Sequence, residues 1–122
     1  MTTSTGTSRV DMIFRAFSDR TRLRIMNLLR HREELCVCDL VRVLSMPQAK
    51  VSRHLAYLRR AGLVEADRRG QWAYYRLSRA EGAFHRKVLE CVGCCFDDVP
   101  ELQRDMKKLG RACCPADDAG CC

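Results

Sequence analysis

Apolar residues recur at helical spacing through most of this chain. Val10, Ile13, Phe14 and Phe17 fall on one face. Ser8-Arg9-Val10-Asp11 ahead of them is a capping-box-like start, so a first helix is expected over about 9–17. Ser18-Asp19 opens a second helix through about Arg30, with Leu23, Ile25, Met26, Leu28 and Leu29 as its stripe. A short third helix covers about 36–44, with Leu40, Val41 and Leu44 facing inward. Ser45-Met46-Pro47-Gln48 then reads as a turn and a new start, combining a cap, an early proline and a glutamine. The fourth helix runs to about Arg60 on a Val51, Leu55 and Leu58 face, and Gly62 stands at its C′ position.

The period then changes. Leu63–Asp67 reads as a strand, Arg68–Gln71 as a turn and Trp72–Leu77 as an alternating second strand. Ser78 is placed to cap a fifth helix carrying Phe84, Val88, Leu89 and Val92. A sixth starts at Asp98-Val99-Pro100-Glu101 and carries Leu102, Met106 and Leu109. From Arg111 the chain turns small, polar and cysteine-rich, so 1–110 is expected as one domain and 111–122 as a flexible tail with no specific role. Helices one to four, a two-stranded wing and helices five and six make a mainly α, α+β chain: a winged helix-turn-helix whose fourth helix enters the DNA major groove.

Charge supports that placement. The net charge is +7, and residues 1–80 hold 16 Lys/Arg against 7 Asp/Glu, a balance of +9. The basic part coincides with the expected reader, and a basic surface attracts a phosphate backbone. The exposed face of helix four would present Gln48, Lys50, Ser52, Arg53, His54 and Tyr57 to base edges and phosphates. Arg68, Arg69 and Arg76 on the wing would reach an adjacent phosphate or the minor groove. Helix five is apolar enough that a homodimer would bury it, setting two readers about one DNA turn apart. No apolar run suits a membrane span and the start does not read as a signal peptide, so a cytoplasmic protein is expected. No Ser-His-Asp or paired-carboxylate arrangement and no phosphate-cradling loop points to an enzyme.

Nine cysteines are many for 122 residues. In a reducing compartment, clustered thiols suggest soft-metal binding or redox sensing. Cys36 and Cys38 flank Val37 just ahead of the reader. On a regular helix they would stand about 200° apart, so joint ligation would have to unwind the first turn. Cys91, Cys94 and Cys95 lie at i, i+3 and i+4, a spacing that turns all of them to one side of a helix. They form a second candidate site, or one of them completes the first. Cys113-Cys114 and Cys121-Cys122 lie in the tail. His31 and His85 stand alone, where surface or cap roles outweigh ligation.

Leu35-Cys36-Val37-Cys38-Asp39-Leu40 is followed by Ser52-Arg53-His54-Leu55, Ala61-Gly62-Leu63, Gly70-Gln71-Trp72 and Tyr75-Arg76-Leu77. Together, over roughly residues 10–95, these runs resemble the arsenic-responsive branch of the ArsR/SmtB repressors. The resemblance implies a homodimeric winged-helix repressor that leaves operator DNA when trivalent arsenic or antimony binds cysteines at the start of the third helix. Cys36 and Cys38 match those positions. A further cysteine often follows three residues later, where this chain has Val41. Thiolates would also take Cd(II), Zn(II) or Pb(II), and a thiol-redox regulator is a different reading of the same residues.

Overall fold

The computed structural model describes the backbone of residues 2–79, 82–94 and 99–110, and the side chains of 10–79, 82–92 and 99–110. Within them the order is α1 (Thr2–Phe17), α2 (Arg20–His31), β1 (Leu35–Cys36), α3 (Val37–Leu44), α4 (Gln48–Arg60), β2 (Val64–Arg69), β3 (Trp72–Leu77), α5 (Ala83–Cys94) and α6 (Pro100–Gly110). This is the expected winged helix-turn-helix with one addition. The wing is three-stranded, ordered β1-β3-β2, because Leu35 pairs with Tyr75 and Cys36 with Tyr74. A two-residue strand has no readable period, so only the partner strand reveals it.

The core lies between the helices and the inner face of the wing. Ile25, Met26, Leu28 and Leu29 of α2 meet Leu40, Val43 and Leu44 of α3 and Val51, Leu55 and Leu58 of α4. Leu55 has no exposed surface. Truncating such a leucine to alanine costs about 2–5 kcal/mol. The α3 and α4 helices are therefore joined through a buried apolar contact.

The ends of α3 and α4 explain the sharp turn between them and the entry to the wing. Ser45 sits at φ 55°, ψ 48°, and its N–H donates to Val41 O at 2.9 Å, so it closes α3. It was expected to open α4, a role that falls to Pro47. Gly62 adopts φ 79°. Its N–H donates to Arg59 O at 2.9 Å while the Leu63 N–H donates to Leu58 O at 3.0 Å. This paired closure needs a left-handed residue, which glycine adopts without a Cβ clash. The hairpin is tighter than expected: Arg69 pairs with Trp72, leaving Gly70-Gln71 as the turn.

Several boundaries differ from the sequence reading. Helix α1 begins at Thr2 rather than near Arg9, and α5 at Ala83 rather than after Ser78. Val43, not Val41, shares the inner face of α3 with Leu40 and Leu44. Leu40, Val43 and Leu44 follow i, i+3 and i+4, whereas Val41 stands about 100° round from Leu40 and is only partly buried. His85 is 2% exposed rather than a surface residue, because α5 packs it inward against the domain. His31 keeps a cap role, its Nδ1 lying 2.9 Å from Asn27 O in the last turn of α2.

Candidate functional site

Helix α4 presents Gln48, Lys50 and Arg53 as exposed side chains, while Ser52, His54 and Tyr57 are half-buried. The last two face α2. His54 Nδ1 lies 3.4 Å from Arg22 Nη1 and 3.5 Å from Asp19 Oδ2, with the side chain 18% exposed. Burial is the main cause that holds its pKa below the ordinary histidine value. Asp19 opposes this, and the cations Arg22, Lys50 and Arg53 reinforce it. The neutral ring is therefore the resting form at neutral pH.

Arg22 is the residue that sequence reasoning missed. Its guanidinium stacks on the Tyr57 ring at 4.0 Å, and it donates to Ala16 O and Arg15 O at 2.9 and 3.0 Å. It ties the end of α1 to α4. Nothing in its sequence neighbourhood distinguishes it from the other arginines of α2, because its partners come from two other elements. Asp19, expected as a helix opener, makes no side-chain cap bond and faces His54 instead.

On the wing, Arg68 is exposed. Arg69 is held by acids: Nη1 and Nη2 donate to Glu34 at 2.7 and 2.8 Å, and Nε donates to Asp67 at 3.0 Å. Its guanidinium also lies 4.6 Å from the Tyr74 ring centre. Hydrogen bonding from Arg69 holds the Glu34 carboxyl below its ordinary pKa. Arg76 pairs with Glu65 at 3.1 Å. Two of the three expected wing cations thus already have carboxylate partners, and Glu34 connects the wing to the segment preceding Cys36.

The structure separates the thiols into two places. Cys36 is 5% exposed, ends β1 and caps α3 with an extended backbone at φ −72°, ψ 148°. Its Sγ accepts the Cys38 N–H at 3.4 Å. Helix α3 begins at Val37, so it is not regular through both cysteines. Cys38 is disulfide-bonded, so its thiolate chemistry requires reduction. Cys91 is exposed on α5 and lines an apolar groove of about 230 Å³ with Ile13, Phe14, Phe17, Leu23, Val88 and Val92. The Cys94 side chain and Cys95 lie outside the described residues, as do Cys113, Cys114, Cys121 and Cys122. Among the described residues no group of three or more His, Cys, Asp or Glu side chains could hold a metal ion. The soft, adjacent donors Cys36 and Cys38 fit a thiophilic ion in kind, and a third donor must come from elsewhere.

A family model described as bacterial regulatory protein, arsR family, matches residues 19–66, from the start of α2 into β2. The arsenical resistance operon repressor of Escherichia coli K12 is 38% identical over 110 residues, 90% of this chain and 92% of that one. The chain belongs to the arsR family. It is thus a DNA-binding transcriptional repressor and not an enzyme. The cadmium resistance regulatory protein CadC of Listeria innocua is 38% identical over 69 residues, covering 57% of this chain and 58% of its own. In fold, the homodimeric winged helix-turn-helix domain Mb0332 of Mycobacterium bovis superposes with a TM-score of 0.65 at 27% identity, over 81% of this chain and 88% of that one. No helix among the described residues is long and apolar enough to cross a membrane.

Proposed function

We propose that this repressor of the arsR family works as a homodimer that leaves its operator when Cys36 and Cys38 bind As(III) or Sb(III). One observation carries the reading: Cys36 is at once the last residue of β1, paired with Tyr74 in the wing, and the N-cap of α3. Ligation at its sulfur acts on both DNA-facing elements, on the wing through β3 and on α4 through the buried α3–α4 packing. Packed elements shift between discrete arrangements rather than stretching. A tenfold loss of operator affinity needs about 1.4 kcal/mol of coupling, within the ordinary range for linked sites. The E. coli relative named for arsenical resistance supports the choice of ion.

The dimer reading rests on the α1–α5 face. Phe14 is 61% exposed and packs on Phe84 with ring centres 5.2 Å apart, at the apolar groove that Cys91 also lines. An exposed phenylalanine beside such a groove calls for a cover, and a second copy supplies one. The homodimeric state of the M. bovis domain agrees.

The test is operator release measured in excess reductant, titrated with arsenite, antimonite, Cd(II), Zn(II) and Pb(II). Arsenite or antimonite should act at the lowest concentration. Cys36→Ser and Cys38→Ser should each keep operator binding and lose release. Retained release in both variants would remove this pair as the sensor. A second reading has its own observation, the disulfide at Cys38. If oxidant alone releases DNA and arsenite does not, the chain is a thiol-redox regulator. Strongest response to Cd(II), Zn(II) or Pb(II) would favour a sensor of the kind named in the CadC relative.

A further inference from the structure

We propose that Arg22 is a specificity-determining residue that sets which spacing of operator half-sites this repressor accepts. This deepens the proposed function and rests on it, with α4 as the DNA-reading helix and the α1–α5 face as the dimer interface.

In a two-fold dimer the interface holds one part of each protomer and the DNA holds another. Half-sites one helical turn apart are separated by about 34–36 Å, and one added base pair turns a half-site by about 34°. A dimer rejects that change only if α4 keeps a fixed angle to the interface. Apolar burial holds helices together without imposing a direction. A planar guanidinium imposes one, because its donors form a rigid fork and its face stacks on aromatic rings.

Arg22 supplies such a tie, with its side chain 13% exposed. Toward α1, Nε donates to Ala16 O at 2.9 Å and Nη2 donates to Arg15 O at 3.0 Å. Helix α1 ends at Phe17, so these carbonyls belong to its last turn, where intrahelical donors run out. The same turn carries Phe14 and Phe17, which line the groove of the proposed dimer face. Toward α4, the guanidinium lies 4.0 Å from the centre of the Tyr57 ring, and Nη1 lies 3.4 Å from His54 Nδ1. Arg60 also approaches the Tyr57 ring, at 5.7 Å, but it belongs to α4 and joins that helix to nothing else.

One rigid group from α2 therefore connects the turn that carries the dimer face to the middle of α4. Lysine cannot replace it. Arg22 uses Nε, Nη1 and Nη2 toward different partners. A lysine keeps the charge but offers a single nitrogen on a flexible stem and no planar face. Without the tie, α4 can turn relative to the interface, and the dimer should follow half-sites to a wrong spacing.

The experiment uses the full chain in excess reductant and a duplex that it selects from a random-sequence pool. Affinity is measured for that duplex and for versions with one base pair added to, or removed from, the segment between half-sites. Wild type should bind the altered duplexes about tenfold or more weakly. Arg22→Lys, checked for folding by thermal unfolding and for dimerisation by sedimentation, should bind all of them within about threefold of one another. Its loss should fall on the selected duplex. A merely structural defect would weaken every duplex alike, so a wild-type ratio in Arg22→Lys overturns the proposal. Tyr57→Leu removes the stacked ring, leaves the α1 bonds in place and decides the matter if Arg22→Lys does not fold. It should also flatten the ratio, and a wild-type ratio there overturns the proposal equally. A monomeric wild type, or one indifferent to spacing, would instead sink the underlying dimer reading, so the two failures are distinguishable.

Discussion

Lys50 and Arg53 hold their charges on the exposed face of α4, close to where the helix begins. We propose that each contacts a phosphate or a guanine edge. Lys50→Ala and Arg53→Ala should each weaken operator binding about tenfold while leaving arsenite affinity unchanged. Binding measured against salt separates their roles: loss of a phosphate contact lowers the salt slope by about one, whereas loss of a base contact relaxes sequence preference. Normal operator affinity in both variants would remove α4 as the reader. His54 behaves differently, because its side chain is turned toward Arg22 and Asp19. Its folded pKa is depressed, first by burial. As pH falls below the ordinary value of 6.5, the unfolded chain takes up a proton that the folded chain resists, so the fold loses stability. The loss continues until pH passes the lower folded pKa. Urea unfolding at about pH 7.5 and about pH 5.5 should show a larger drop in wild type than in His54→Gln. An equal drop in the two proteins would mean that His54 is not a source of the pH dependence.

At the scale of elements, the expected helices and the hairpin are present because each carries a periodic apolar face. What joins them was less legible. Arg69 reads as a DNA contact from its place on the wing, yet Glu34 and Asp67 hold it. The Glu34–Arg69 pair clamps the wing to the segment that leads into Cys36, in parallel with the β1–β3 pairing. Glu34→Gln removes one charge and keeps the shape. Both groups are partly exposed, so the effect on global stability should be small, about 1 kcal/mol or less. The larger effect should fall on coupling, with arsenite releasing the operator less completely although arsenite affinity is retained. Measuring operator affinity with and without saturating arsenite gives the coupling for each protein. An unchanged ratio would show that the wing takes no part in release through this clamp. Likewise, β1 escaped the sequence reading because Leu35 and Cys36 are defined as a strand only by Tyr75 and Tyr74.

For the whole molecule, the proposed dimer uses the α1–α5 face. Phe14 is the exposed anchor of that face, packed on Phe84. Phe14→Glu places a charge where a second copy would bury an aromatic ring. The dimer dissociation constant should rise about tenfold or more, and operator affinity should fall with it, since each half-site would then be bound alone. Sedimentation over a concentration series checks the first outcome. A variant as dimeric as wild type would exclude this face as the interface.

Much of this protein was settled by its sequence. The helical stripes, the glycine after α4, the alternating wing and the basic first eighty residues specify a winged helix-turn-helix reader, because period, turn chemistry and charge are local properties. The Cys36-Val37-Cys38 run with Ser52-Arg53-His54-Leu55 pointed to the family in the same way. Tertiary structure decided the rest. It placed Cys36 at the end of a strand rather than inside a helix, turned His54 toward Arg22, committed Arg69 to Glu34 and laid α6 across α3. Each depends on a partner distant in sequence: Tyr74 for Cys36, Asp19 and Arg22 for His54, Lys108 for Arg42. No local pattern encodes such pairings, because they form only when packing brings the elements together.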